Sequence, residues 1–291
     1  MTEPSSAELD AAAANIAAAR AHLEALSKLA DGEIDLAEAA LALASLDRPD
    51  VAPERYLEHL ALLARDVADR FADGGTADTL DGRCASINEI LYVQESYRGD
   101  DATYDDLQNA NLMRVIDRRR GLPVALGILY IHAGRAQGWQ VDGIAFPGHF
   151  LVRIDREGER AIVDPFHRGR PCDAAELRRL IKSAAGNEAE LTPEFFEPVG
   201  NVDILLRLQN NMKIRHIRMG ELAKAAEIVE RMLLFAPSRA ELWRDVAMIH
   251  VRLDNLRRAA DALERHIALE GRDSLKHQSA RLLQELKNKL N

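Results

Sequence analysis

His149 and Asp164 are the residues best placed by type and spacing to do acid–base chemistry. Residues 149–154 and 160–164 read as two short strands, with Glu157-Gly158 as a two-residue hairpin turn that pairs Arg156 with Glu159. In that register Ile154 faces Ala161 and Val152 faces Val163, with Phe150 on the same apolar side. The opposite face carries His149, Leu151, Arg153, Ile162 and Asp164. His149 and Asp164 become diagonal neighbours about 7 Å apart at Cα, within reach of one another. A carboxylate beside an imidazole orients the ring and stabilises its charged form, which is two thirds of a nucleophile/His/Asp device. The third member belongs at the start of a helix, where the dipole lowers a thiol's pKa. That turn reads Leu122-Pro123-Val124-Ala125-Leu126 and holds no Cys, Ser or Thr.

The elements around this pair follow from local pattern. Gly121 breaks one helix, and Pro123 suits the first turn of the next, where its missing N–H costs nothing. From Val124 to Ala136 the chain carries no charge before Arg135, which predicts a buried helix. At about 14 residues it falls short of the roughly 20 that span a bilayer. Gly138 stops it, and residues 139–146 are rich in β-formers. Upstream the chain reads as helices: one from a Ser5/Glu8 capping box to about residue 30, then 33–46, 55–71, 84–92 and 106–119. A loop is expected at 73–75, an ordered loop at 97–104, a frayed terminus over 1–7, and a loop at 165–171. Asp173 is expected to cap a helix to residue 184. From Asn201 onward the chain is helical and repetitive. Leu222 and Leu256, Ala225 and Ala259, and Leu233 and Ile267 each stand 34 residues apart, the tetratricopeptide period.

The segment carrying RRRGLPVALGILY, FPGHFLVR and VDPF, with Asn88-Glu89 and Tyr97-Arg98-Gly99-Asp100 upstream, resembles the transglutaminase-like superfamily. It is most similar to the bacterial SirB-type family, which joins such a domain to tetratricopeptide-like helices. The resemblance implies an α+β fold: a papain/transglutaminase-like core with a small antiparallel sheet, a helical N-terminal extension and C-terminal α-helical repeats. The expected division is 1–80 helical, 81–190 core and 200–291 repeats. The resemblance sets His149 and Asp164 in the places of the catalytic His and Asp, with Pro123, Val124 and Ala125 near the nucleophile position. The family's name implies a regulatory association.

The expected function is therefore that of a noncatalytic, transglutaminase-like pseudoenzyme with a regulatory or protein- or peptide-binding role. It would use the repeats or the His149/Asp164 cleft. Two alternatives stand beside it: a cysteine-dependent peptidase, amidase or acyltransferase using Cys84 or Cys172, and a structural adaptor with a vestigial site. Asn88, Asn111, Arg153 and Arg120 are expected to line the binding site, although each has a structural alternative; Arg153 can pair with Asp164. Arg118, Arg119 and Arg120 either bind an anion or favour a helix end. No cofactor is expected. His132, His149 and His167 lack tight ligand spacing, so no metal site is expected. A net charge of −9 argues against nucleic-acid or membrane-surface binding. Two cysteines and no signal-like N-terminus point to a reduced, cytoplasmic protein.

Overall fold

The computed structural model describes residues 5–73 and 78–290. Much of the expected loop at 73–75, and part of the expected frayed terminus, lies outside them. Helix α1 (Ser6–Leu26) starts at the expected capping box, where Ser5 N–H donates to Glu8 Oε2 at 2.7 Å. Helix α2 (Leu36–Ser45) begins later than residue 33, because the Asp35 carboxylate accepts from Ala37 and Glu38 N–H and caps it. Helices α3 (Glu54–Asp73) and α4 (Leu80–Asn88) follow. The chain then winds into a π-helical turn, Glu89–Gln94, rather than continuing one regular helix.

The expected ordered loop over 97–104 contributes a short strand, β1 (Arg98–Gly99), which pairs in parallel with β2 (Arg120–Gly121) at the expected helix break. Between them the expected single helix splits into a 3-10 turn, Leu107–Ala110, and α5 (Leu112–Arg118). Asn111 causes the break: it leaves helical geometry to cap α5, its Oδ1 accepting from Arg114 N–H at 3.1 Å.

Helix α6 (Pro123–Arg135) is the buried helix, with Pro123 in its first turn. Against it lies a four-stranded antiparallel meander: β3 (Gln140–Ile144), β4 (Leu151–Arg156), β5 (Glu159–Asp164) and β6 (Arg170–Pro171). The β4–β5 register is the expected one, with Val152 opposite Val163 and Ile154 opposite Ala161. Glu157 and Gly158 both have positive φ (50° and 87°), the geometry a two-residue turn needs to follow the strand twist. One face of the sheet packs on α6 through Phe150, which presses against Gly127 and Gly143; a Cβ at either would stand within 2.6 Å of the ring. The other face is apolar too. Ile144, Leu151 and Ile162 form a second cluster with Leu177, Leu180 and Ile181 of α7 (Ala174–Ala185), a helix capped by Asp173 as expected. Helices on both faces explain why the outward residues of β4 and β5 are not uniformly polar.

His149 is not in the strand. Phe146-Pro147-Gly148-His149 forms a β-turn closed by His149 N–H donating to Phe146 O at 2.9 Å, with Gly148 at φ +72°. Proline followed by a positive-φ glycine is the type II pattern. It holds the His149 N–H and delays β4 to Leu151.

Helices α8 (Asn201–Arg218), α9 (Leu222–Phe235), α10 (Ala240–Arg252), α11 (Leu256–Leu269) and α12 (Asp273–Leu290) complete the chain. Helices α9 and α11 are both 14 residues long and start at 222 and 256, one 34-residue period apart. The chain packs into two compact units. One contains Met1–Ala19 and Asp31–Leu205; the other contains Arg20–Ala30 and Leu206–Asn291. Among the described residues no helix is long and apolar enough to cross a membrane.

Candidate functional site

Asp164 closes β5, and its side chain is 5% exposed. Asp followed by Pro starts a tight turn, and the carboxylate takes the free N–H groups that follow. Phe166 and His167 N–H donate to Asp164 Oδ1 at 2.9 and 3.3 Å. His167 Nδ1 lies 2.7 Å from Oδ2. A carboxylate only accepts, so Nδ1 carries the proton and Nε2 is the ring's other nitrogen. The His167 side chain is 53% exposed. A buried carboxylate thus orients a solvent-facing imidazole, three residues on in the same turn. Strand alternation points Asp164 across the hairpin, whereas its partner lies in the turn that follows it. The signal was present in the four residues Asp164-Pro165-Phe166-His167.

The turn is held at three points. Asn88 Nδ2 donates to Gly169 O at 3.1 Å, where α4 passes into the π-helical turn. Gly99 N–H of β1 donates to Phe166 O at 3.1 Å, and the Phe166 ring lies so close that a Cβ on Gly99 would be 2.6 Å from it. Gly169 N–H donates to Asp164 O at 2.8 Å. Arg168 and Gly169 both have positive φ (58° and 65°). Glycine takes that region freely, so the strain is at Arg168, and a strained non-glycine residue beside an exposed, oriented histidine is the kind that gathers at functional sites.

Beneath the turn is a pair of buried phenols. Tyr92, in the π-helical turn, stacks on Tyr130 of α6 with ring centroids 6.4 Å apart. Among the described residues neither hydroxyl has a hydrogen-bond partner, and neither does Asn88 Oδ1. Burial pushes both phenols well above their ordinary pKa, and the Asp164 charge adds to the shift at Tyr92. The Cys84 thiol lies beside the Tyr130 hydroxyl without satisfying it. Burial pushes Cys84 up to about 11. Burial, then the Asp164 charge, pushes Cys172 up to about 12. Both thiols are buried and unpaired. A reactive cysteine needs the opposite environment, partly exposed and electropositive.

The remaining expected site residues have specific placements. Asn111 caps α5 and spends its Nδ2 on Ala44 O (3.1 Å), tying α5 to α2. Arg153 pairs with Asp155 at 2.6 Å, not Asp164, and also donates to Phe196 O at 2.9 Å. Arg118 reaches the buried Asp100 at 3.1 Å. Burial alone would raise the Asp100 pKa, but hydrogen bonds from Thr103 and Asn109 and the Arg118 charge outweigh it and hold the group below its usual value. Arg119 pairs with Glu95 at 2.6 Å and donates to Tyr97 Oη. Arg120 is half-buried opposite Arg98 and, among the described residues, has no ion pair. Of the three consecutive arginines, two stiffen the scaffold ahead of α6. His149 is half-buried, on the turn before β4.

The chain matches a model of the transglutaminase-like superfamily over residues 54–210 and one of the tetratricopeptide repeat over residues 212–286. It is 30% identical over 190 residues to a UPF0162 protein of Xylella fastidiosa strain Temecula1, covering 64% of this chain and 68% of that protein. To the UPF0162 protein of strain 9a5c it is 32% identical over 166 residues, 56% of this chain and 59% of the relative. To that of Vibrio cholerae it is 29% identical over 219 residues, 74% of this chain and 79% of the relative.

Proposed function

Because the chain belongs to the transglutaminase-like superfamily, in company with the UPF0162 proteins, we propose that it is a member that binds a protein or peptide in a regulatory role and has no acyl-transfer chemistry of its own. The observation that carries this reading is the state of the two thiols. Acyl transfer by this type of core needs a thiolate at the start of the central helix. Here that start is Leu122-Pro123-Val124-Ala125, and Cys84 and Cys172 are buried with pKa values pushed up to about 11 and 12. The thiolate fraction near neutral pH is then on the order of one part in ten thousand or less. Helices matching the tetratricopeptide pattern support a polypeptide partner, since such repeats present extended surfaces. Two free cysteines support a reducing, cytoplasmic setting.

Under this reading the Asp164–His167 turn is a recognition element. His167 Nε2 offers one directional contact, held by a buried carboxylate. His149 and Asp164 remain the proposed inherited pair, with Asn88 and Arg120 as the proposed rim. The test is thiol labelling with iodoacetamide near neutral pH, run beside assays for amide hydrolysis and isopeptide formation on a casein substrate. Neither thiol should label in the folded protein, and no product should form. Stoichiometric labelling of one thiol, lost in His149→Gln or His167→Gln, would establish the cysteine-dependent alternative instead.

A further inference from the structure

Exposed apolar residues recur on the helical repeats at the repeat spacing. Ile214 on α8 is 45% exposed and Met248 on α10 is 42% exposed, one 34-residue period apart. Each sits one helical turn before an exposed arginine: Arg218 after Ile214, and Arg252 after Met248. One turn before Met248 stands Arg244, also exposed; the matching position on α8 is Asn210. Residues four apart lie on one helix face, so Asn210-Ile214-Arg218 and Arg244-Met248-Arg252 form two rows. The rows are neighbours. Lys213, next to Ile214, reaches Asp245, next to Arg244, at 2.6 Å.

The charge on this face is unbalanced. Among the described residues the side chains of Arg218, Arg244 and Arg252 make no ion pair or hydrogen bond. Asp245 is taken by Lys213, and Glu241 lies 3.8 Å from Arg239. Three unneutralised cations around two bare apolar side chains stand out on a chain whose net charge is −9. A solvated face would not need this coincidence to repeat at the period of the fold.

We propose that this face of α8 and α10 docks an acidic, amphipathic segment of another protein. Its apolar side chains would cover Ile214 and Met248, and its carboxylates would meet Arg218, Arg244 and Arg252. The assignment rests on the polypeptide-binding reading and names the class of partner. Arginine suits this role, because its planar fork takes a carboxylate through two hydrogen bonds while its stem covers apolar surface. Covering Ile214 and Met248 supplies affinity; the arginines supply orientation and choice of partner.

The test uses a fluorescein-labelled synthetic peptide of repeated Leu-Glu-Glu-Leu-Glu units, with Leu-Lys-Lys-Leu-Lys as control, and fluorescence anisotropy on the full chain. The acidic peptide should bind, weaken as salt is added, and outcompete the basic one. Arg218→Glu with Arg252→Glu should weaken it by about tenfold or more, since each reversal replaces an attraction by a repulsion. Arg218→Gln with Arg252→Gln should give a smaller loss in the same direction. Unchanged circular dichroism shows that both variants fold. Failure of the acidic peptide to bind, equal binding of both peptides, or indifference to the charge reversal overturns the proposal. So does a concentration-dependent dimer of the chain that the reversal abolishes, which would assign the face to a second copy. Catalytic turnover by the same preparation would sink the non-acylating reading and leave this face standing, so the two failures are distinguishable.

Discussion

A methyl group at Gly169 would stand 1.9 Å from Asn88 Oδ1, on a backbone already at φ +65°. Gly158 also has positive φ, at +87°, but nothing lies within 4 Å of its missing Cβ. The two glycines therefore separate strain from collision. Gly158→Ala should cost about 1 kcal/mol, for backbone strain alone. Gly169→Ala should cost about 3 kcal/mol or more and release the Asn88 contact. Urea denaturation of both variants checks the ranking; equal losses would mean that the turn after Asp164 yields freely. The same scale shows what was legible in the sequence. A carboxylate–imidazole pairing was foreseen, but Asp164 makes its observed one with His167 inside a single turn. A side chain that bonds its own following backbone leaves no periodic trace, whereas cross-strand pairing does. Asn111 and Arg153 were visible as polar residues among apolar ones. Their partners, Ala44 O and Phe196 O, are 67 and 43 residues away and depend on tertiary packing.

Among the elements, the register of the β4–β5 hairpin was legible, though not the start of β4, because alternation and a Glu-Gly turn leave one register that buries Val152, Ile154 and Val163 together. The π-helical turn at Glu89–Gln94 was not, since its composition does not differ from that of a helix. Nor was the cap of α8. The Asp31 carboxylate accepts from Asn201 and Val202 N–H at 2.8 and 2.9 Å, and Gly200 leaves room for it. An Ncap residue normally supplies its own oxygen; here the acceptor is 170 residues away. Asp31→Ala should destabilise the fold by about 1–2 kcal/mol through the lost cap, whereas Asp31→Asn should retain part of it. Thermal denaturation monitored by circular dichroism distinguishes them. A second element-scale prediction concerns acid. Hydrogen bonds from the Arg272 side chain, then its backbone N–H, hold Glu270 down to about 2 from a usual 4.5. A depressed carboxylate contributes stability that is complete above its unfolded pKa and lost as pH falls through the folded one. The contribution should fade from about pH 4.5 to about 2, and Glu270→Gln should flatten that part of the stability–pH curve. Identical curves for both proteins would refute the assignment.

Over the whole molecule, the 34-residue period and the hairpin made both architectural classes legible, while the path of the chain between the two compact units was not. Arg20–Ala30 belongs with Leu206–Asn291, yet the residues on either side of it belong to the other unit. Leu23 and Leu26 are the buried residues of that short segment, at 0% and 4% exposure. Leu23→Ala should cost about 3 kcal/mol and speed hydrogen exchange in α9–α12. Exchange changes confined to α2–α6 would contradict the grouping.

That path has a consequence during synthesis. Arg20–Ala30 leaves the ribosome well before Leu206–Asn291, the residues it groups with. While the intervening sheet and its helices form, Leu23 and Leu26 must wait with their apolar faces uncovered. Until the repeats are made, the last turns of α1 have nothing to close upon, whereas the part of it before Arg20 groups with the residues that follow it directly.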